Sequence, residues 1–207
     1  MLCGERLDMR ILIDMQGLQT PGSKWRGVGK YTLSMVKELL RNANDNDDIF
    51  LILNGCYKES CFEIIDAFSG LVKRNHIKAW SHCLHTNPEL QGHTLEHDIS
   101  ELIKEWYMSQ FKPDIIWSTN LQEGWLDGNV ATGLKEIYND CLYCSTLHDV
   151  TPLIYKDKFL NNIIVDWYMS KINDVKKSDI ILTVSEFSRN KIIELMKVNP
   201  QKVYVAY

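Results

Sequence analysis

The chain has 207 residues, of which 45% are hydrophobic and 24% are charged, which excludes collagen-like, fibrous and disordered proteins and suffices for a substantial core. The 27 acidic residues outnumber the 23 lysines and arginines, and the net charge of −4 has the wrong sign for a nucleic acid partner. No apolar run approaches the roughly 20 residues of a membrane span, so we expect neither a transmembrane segment nor a secretion signal.

Short apolar runs alternate along the chain with stretches of helical spacing, which is typical of an α/β fold with a parallel sheet. Most of these runs are apolar throughout, as strands covered on both faces should be. The predicted strands are residues 10–14, 49–53, 77–80, 114–118, 142–147, 180–184 and 203–206. The sequence therefore predicts an open, mainly parallel Rossmann-like sheet of about seven strands, flanked by helices.

Amphipathic helices are predicted between these strands, and we expect their apolar stripes to face the core. The stripes are formed by Met35, Val36, Leu39, Leu40 and Ala43, by Leu95, Ile99, Leu102, Ile103, Trp106 and Tyr107, and by Ile164, Trp167, Tyr168, Ile172 and Val175. The last helix covers about residues 186–197, where Ser185 is a plausible N-cap and Glu186 in the first turn complements the helix dipole.

The domain organisation is simple, because the sequence shows no repeat, low-complexity tract or Pro/Gly-rich linker. We therefore expect residues 1–207 to form a single domain. The six cysteines are irregularly spaced, which is typical of reduced thiols and predicts a cytoplasmic protein. A strand-like segment, KVYVAY, ends the sequence, so either the sheet ends there or a larger protein has been cut at a domain boundary.

The first candidate site is the loop after the first strand, which closes with Gly27-Val28-Gly29 before a helix. Glycines let the backbone approach an anion closely, and the first-turn N–H groups of a helix stabilise negative charge. Nearby positive charge comes from Lys24, Arg26 and Lys30. This arrangement predicts a phosphate-binding loop, with a purely structural turn as the alternative.

Two named phosphate-binding motifs do not fit this loop. A Walker A loop needs Ser or Thr after its Gly-Lys pair, where this chain has Tyr31. The dinucleotide fingerprint needs a third small residue and an acid after the second strand, where Thr32 and Asn54 stand instead. NAD is therefore disfavoured, and we predict no cofactor.

The second candidate site is His148-Asp149, at the carboxyl end of the fifth predicted strand, where open α/β sheets bind ligands. The alternative is a structural histidine, with Asp149 starting a turn before Pro152. Ser185 and Glu186 follow the sixth strand in the same way, although helix capping alone would explain Ser185. Three polar junctions at one sheet edge favour a binding site.

Other signals are weaker. The segment 93–97 spells the H-x-x-E-H order of a zinc peptidase class. His93, however, follows Gly92 in a predicted loop and no third ligand is identifiable, so we predict no metal.

Cys141 and Cys144 should point to opposite faces of a strand, so we expect both thiols to lie in the core. Trp25, Trp117 and Trp125 lie at strand ends or in loops, where they either stack on a ligand or are simply buried.

Several segments, in this order, resemble the N-terminal half of retaining glycosyltransferases of the GT-B fold, in the large family four, especially members that build bacterial surface polysaccharides. These segments are RILIDMQGLQTPGSKWRGVGKYTLSMVKELL, PDIIWSTN, LHDVTPLIY and SDIILTVSEFSRNKI. The resemblance covers most of residues 10–207 and implies a two-domain enzyme with a cleft between similar halves. The C-terminal half, with its paired glutamates and basic residues, is absent from this sequence.

The resemblance also implies roles for individual residues. His148 would contact hydroxyls of the donor sugar near the reacting carbon, and Gly27 and Gly29 would lie against the donor diphosphate and sugar. Further candidates for the donor side or the border of the cleft are Arg26, Asp149, Ser185 and Glu186. The complete enzyme would transfer a hexose from a nucleotide-sugar to a glycan or lipid-linked acceptor, and its peripheral association with a membrane stays open.

A different class of protein also fits the glycine loop. A non-catalytic Rossmann-like module would use the loop to bind an anion or a nucleotide. Sequence beyond Tyr207 would discriminate the two, because a second α/β half with two spaced glutamates favours the enzyme, whereas a stop codon favours the binding module.

Overall fold

The structure is a computed structural model that describes residues 8–82, 95–125, 130, 132–162 and 164–207. Its strands are β1 (Arg10–Asp14), β2 (Asp48–Asn54), β3 (Ile77–Trp80), β4 (Ile115–Ser118), β5 (Leu142–Thr146), β6 (Ile180–Thr183) and β7 (Val203–Val205). They form one 7-stranded sheet in the order β3-β2-β1-β4-β5-β6-β7, and every neighbouring pair is parallel. The predicted open parallel sheet is confirmed.

The described helices are α1 (Gln16–Gln19), α2 (Gly27–Asn42), α3 (Lys58–Ala67), α4 (Leu95–Ser109), α5 (Thr151–Ile154), α6 (Lys156–Phe159), α7 (Ile164–Lys177) and α8 (Glu186–Met196). Short 3-10 turns cover Arg74–His76 and Pro200–Lys202. Ser185 is the N-cap of α8, as predicted, because its hydroxyl accepts the Ser188 N–H at 3.1 Å. Among these helices, none combines the length and the apolar character that crossing a bilayer requires.

The sheet separates two hydrophobic cores, because successive side chains of a strand point to opposite faces. One core contains Leu12 and Ile116 of the sheet with Trp167 of α7, and the other contains Ile13 of the sheet with Val36 of α2. Cys144 and Cys141 also lie on opposite sides, and neither forms a disulfide.

The strand order reverses beside β1, which pairs with β2 on one side and with β4 on the other. After β3, at one edge of the sheet, the chain returns across the sheet to β4. In an open α/β sheet this reversal opens a crevice at the carboxyl ends of the strands, where ligands bind. The topology therefore places the candidate site above the ends of β1, β4, β5 and β6.

Helix α4 contradicts one expectation, because five of the six residues of its predicted core-facing stripe lie at the surface, and only Tyr107 packs against the core. Between 37% and 72% of the side-chain surface is exposed at Leu95, Ile99, Leu102, Ile103 and Trp106. The buried residues of α4 are instead His97, Ser100, Lys104, Glu105 and Met108. The physical reason is that the buried face meets polar and charged partners, such as Asp14 at the end of β1, which ion-pairs with Lys104.

Candidate functional site

The glycine segment, His148 and Ser185 lie at the same edge of the sheet, after β1, β5 and β6 respectively. Helix α2, which begins at Gly27, contacts the segment after β5 through Tyr31. The ring centroids of Tyr31 and His148 are 5.2 Å apart and the rings are nearly perpendicular, at 80°. The structure thus brings the glycine segment and the His148 loop together.

The two glycines of this segment have different environments. Helix α2 begins at Gly27 rather than at the predicted residue 30, so both glycines lie in its first turn. Gly27 is exposed, and a Cβ atom there would meet nothing within 4 Å. A Cβ atom on Gly29 would lie 2.3 Å from the carbonyl oxygen of Lys24, and the Gly29 N–H already donates to the Ser23 carbonyl. Gly29 is therefore required for packing.

Open hydrogen-bond donors remain at the start of α2. Within the described part of the chain, no backbone acceptor is recorded for the N–H groups of Gly27 and Val28. Such N–H groups, at the positive end of the helix dipole, attract an anion. Gly27 is thus the glycine whose geometry suits the predicted phosphate contact, whereas the N–H of Gly29 is already used.

The basic residues of the loop also differ. The Lys24 ammonium lies 2.8 Å from the Glu63 carboxylate and 4.8 Å from the centroid of the Trp25 ring, so this charge is already compensated. Arg26 and Lys30 are exposed, and no ion pair is recorded for either among the described residues. The positive charge available for a ligand at this loop therefore comes from Arg26 and Lys30.

A matched pair of substitutions tests the structural assignment of the glycines. We expect Gly29→Ala to lower the free energy of unfolding by about 1–3 kcal/mol, because the new methyl group would overlap backbone atoms of Lys24. Gly27→Ala should change it by less than about 1 kcal/mol, since its methyl group would occupy open space. Urea denaturation measures both values, and equal losses would contradict the distinction.

His148 lies partly buried between α2 and the end of β4. Burial lowers the pKa of its imidazole below the ordinary value of 6.5, although the Asp149 carboxylate and a hydrogen bond with the Thr119 backbone oppose this shift. At neutral pH the side chain is therefore an uncharged imidazole, and its buried Nε2 atom lacks a hydrogen bond among the described residues.

The remaining predicted residues at this edge have structural contacts. The Asp149 carboxylate accepts the Thr151 N–H at 2.7 Å and so stabilises the turn that begins α5, as the structural alternative expects. Ser185 caps α8. Glu186 is exposed, and its carboxylate lies 3.9 Å from the Arg189 guanidinium. These contacts leave the proposed ligand roles of Asp149, Ser185 and Glu186 as predictions.

The structure adds a buried ion pair that sequence reasoning missed. The Lys104 ammonium of α4 lies 2.6 Å from the Asp14 carboxylate at the end of β1, and the two side chains are 2% and 3% exposed. Asp14 also accepts hydrogen bonds from the Gln16 N–H and the Ser118 hydroxyl. Burial lowers the pKa of Lys104, and the Asp14 carboxylate opposes the shift. This pair joins α4 to the floor of the candidate site.

Another cluster on α4 bears on the metal prediction. The side chains of His97, Asp98 and Glu101 place potential ligand atoms within 4.8 Å of one another. The Glu101 carboxylate, however, forms a close ion pair with the buried ammonium of Lys171. The Lys171 ammonium therefore already binds the carboxylate that a metal ion would need as a ligand. His93, the first residue of the H-x-x-E-H segment, lies outside the described residues.

The three tryptophans that the sequence analysis selected also differ in their burial and contacts. Trp117 is buried, and its indole N–H donates to the Thr146 hydroxyl at 2.9 Å. Trp125 packs against Trp167, with ring centroids 5.4 Å apart. Trp25, by contrast, is 70% exposed and lines a cavity of about 420 Å³ between α2 and α3. Of these three tryptophans, Trp25 is the most exposed.

Known proteins resemble this chain in sequence and in fold. No protein-family model matches the chain. The serotype-specific mannosyltransferase WbdA of Escherichia coli is 25% identical over 200 residues, which cover 94% of this chain and 23% of the mannosyltransferase. Structures of UGT89C1 from Arabidopsis thaliana, complexed with quercetin or with UDP, share the fold at TM-scores of 0.53 and 0.52 with 12% identity. They are matched over 97% of this chain and about half of theirs.

The fold and the relatives together narrow the class of protein: the chain has the open, parallel Rossmann-like fold of about half of UGT89C1, and its sequence is similar to part of a bacterial mannosyltransferase. Its similarity to the Escherichia coli mannosyltransferase confirms the predicted resemblance to glycosyltransferases of the bacterial surface-polysaccharide type. The chain spans about a quarter of that mannosyltransferase and about half of the plant enzyme.

Proposed function

We propose that the chain is the acceptor-side half of a two-domain retaining glycosyltransferase, which transfers a hexose from a nucleotide-sugar to a glycan or lipid-linked acceptor in bacterial polysaccharide synthesis. The observation that carries this proposal is the contact between α2, with its open N–H groups at Gly27 and Val28, and His148 at the carboxyl edge of the sheet. The similarity to a mannosyltransferase favours an enzyme over the non-catalytic module.

In the proposed function, the residues of the site have two different roles. A departing nucleoside diphosphate gains negative charge in the transition state, and preorganised donors stabilise such charge most effectively. The N–H groups of Gly27 and Val28, with the side chains of Arg26 and Lys30, supply donors and positive charge on one side. The uncharged imidazole of His148 donates or accepts a hydrogen bond at a hydroxyl of the donor sugar.

The other half of the enzyme completes the cleft. Asp149, Ser185 and Glu186 border the cleft on this half, and the second half supplies most of the contacts to the donor. We place the enzyme in the cytoplasm, which agrees with the free thiols of Cys56, Cys61, Cys141 and Cys144. Peripheral association with a membrane would come through the full-length enzyme, and no cofactor is required.

The proposal is tested by comparing the 207-residue chain with a complete enzyme that contains it. We expect the chain alone to fold but to release no nucleoside diphosphate in the presence of acceptor, because one wall of a cleft cannot enclose the donor or exclude water. Binding of GDP-mannose or UDP-glucose to the chain alone, measured by isothermal titration, should be weak. The complete enzyme should show acceptor-dependent release.

Two outcomes would contradict the proposal. Tight binding and sustained, acceptor-dependent release by the 207-residue chain would show that it is a complete enzyme. Nucleotide-sugar binding by the complete protein, with no release for any acceptor glycan, would instead support the non-catalytic binding module.

A further inference from the structure

Tyr31 of α2 connects segments of the candidate site that lie far apart in the sequence. Its ring packs edge-on against the ring of His148, with 5.2 Å between the centroids. Its hydroxyl donates a hydrogen bond to the carbonyl of Ala206, which follows β7, at 3.0 Å. One side chain therefore contacts both the His148 loop and the end of the last strand.

The contacts of Tyr31 belong to a closed circuit of four residues, which also includes Ala206, Thr183 and His148. The Ala206 N–H donates to the Thr183 carbonyl at the end of β6, at 2.9 Å. The Thr183 hydroxyl in turn donates to the His148 carbonyl, at 3.4 Å. His148 is thus linked to Tyr31 directly through its side chain and indirectly through its backbone, Thr183 and Ala206.

The chemistry of both rings suits a fixed arrangement. Burial raises the pKa of the Tyr31 phenol, so this group stays protonated and remains a donor at neutral pH. The Thr119 backbone also lies near the His148 imidazole, where it favours the protonated form and so opposes the lowering of the His148 pKa by burial. Thr119 is itself anchored, because its hydroxyl donates to the Asp14 carbonyl at 2.8 Å. The Tyr31 ring therefore packs against an imidazole whose neighbour Thr119 is itself fixed.

We propose that Tyr31 is a positioning residue, which holds the His148 imidazole in the orientation that meets the donor sugar and ties that orientation to the end of β7. This inference rests on the proposed function of His148. Orientation matters because a misplacement of about 1 Å can cost about 100-fold in rate. A leucine at this position would fill space but would provide neither the ring contact nor the hydroxyl.

The test uses a complete enzyme that contains this chain, with Tyr31→Leu, Tyr31→Phe and a control, Tyr204→Phe. Tyr204 lies on β7 and is 52% exposed. We expect Tyr31→Leu to lower kcat by about 10–100-fold, with the KM for the donor changed by less than about threefold. Tyr31→Phe keeps the ring but loses the hydrogen bond to Ala206, so its kcat should lie between those of Tyr31→Leu and the unchanged enzyme. A Tyr31→Phe variant as active as the unchanged enzyme would overturn the link to β7. Tyr204→Phe should match the unchanged enzyme.

A second readout reports on the imidazole itself. In the 207-residue chain, the NMR signals of the His148 ring, assigned with His148→Asn, should move in Tyr31→Leu and stay unchanged in Tyr204→Phe. Unchanged His148 signals in Tyr31→Leu would overturn the inference. Full activity of Tyr31→Leu, in an enzyme that His148→Ala inactivates, would also overturn it. Full activity of His148→Ala would overturn the proposed function of His148, and the positioning role with it.

Discussion

We expect Lys104→Met to lower the free energy of unfolding by about 3–5 kcal/mol, the largest effect on stability of any substitution considered for this chain. Lys104 and Asp14 are almost completely buried, and the ammonium and carboxylate are 2.6 Å apart. Methionine would fill the space of the lysine but would leave the Asp14 carboxylate in the interior without its cation. The remaining hydrogen bonds from Gln16 and Ser118 cannot replace a full positive charge. Urea denaturation followed by circular dichroism measures the loss.

Two controls separate the burial of this pair from the mere loss of a lysine. Lys191→Met removes an ion pair of similar length, 2.7 Å to Glu194, but one whose side chains are much more exposed. It should cost less than about 1 kcal/mol. The double variant Asp14→Leu/Lys104→Met removes both charges and should recover part of the stability. A loss for Lys104→Met as small as that for Lys191→Met would contradict the expectation.

The sequence predicts the sheet well because most strands are covered on both faces and are therefore mostly apolar runs. Each predicted strand lies within about one residue of its observed ends. The same reasoning fails for the orientation of α4. Periodicity finds a helix with an apolar face, but the buried face is decided by Asp14, whose contact with Lys104 joins residues 90 positions apart. Sequence periodicity considers only residues that are close together in the chain, so it cannot predict this contact.

The candidate site shows the same limit. Gly27 and His148 were predictable, because each follows a strand at the edge where parallel sheets bind ligands. The distinction between Gly27 and Gly29 was not, since it depends on how the Lys24 backbone folds over α2. Tyr31 carried no signal of its own beyond its place in a helix. Its partner, Ala206, lies 175 residues further along the chain.

The largest expected effect on activity is that of His148→Ala in a complete enzyme, for which we expect a loss of about 100–1000-fold in kcat. The substitution removes the imidazole that, in the proposed function, meets a hydroxyl of the donor sugar as charge develops at the reacting carbon. Because the pKa of His148 lies below 6.5, the unchanged enzyme should keep its activity down to at least that pH. Below the pKa, protonation should lower kcat.

The matched control is His76→Ala. His76 lies at the amino end of a strand, whereas His148 lies beyond the carboxyl end of one. His76 precedes β3 and stacks on Phe50, with ring centroids 4.5 Å apart, so its removal also deletes an aromatic contact. Both variants should lower the melting temperature by similar, small amounts, but kcat should fall in His148→Ala alone. Two results would make His148 a structural residue. One is a large fall in the melting temperature of His148→Ala together with its fall in kcat. The other is a fall in kcat for His76→Ala as large as that for His148→Ala. A fall in kcat without a matching fall in stability is the result expected of a residue that acts in the site rather than in the fold.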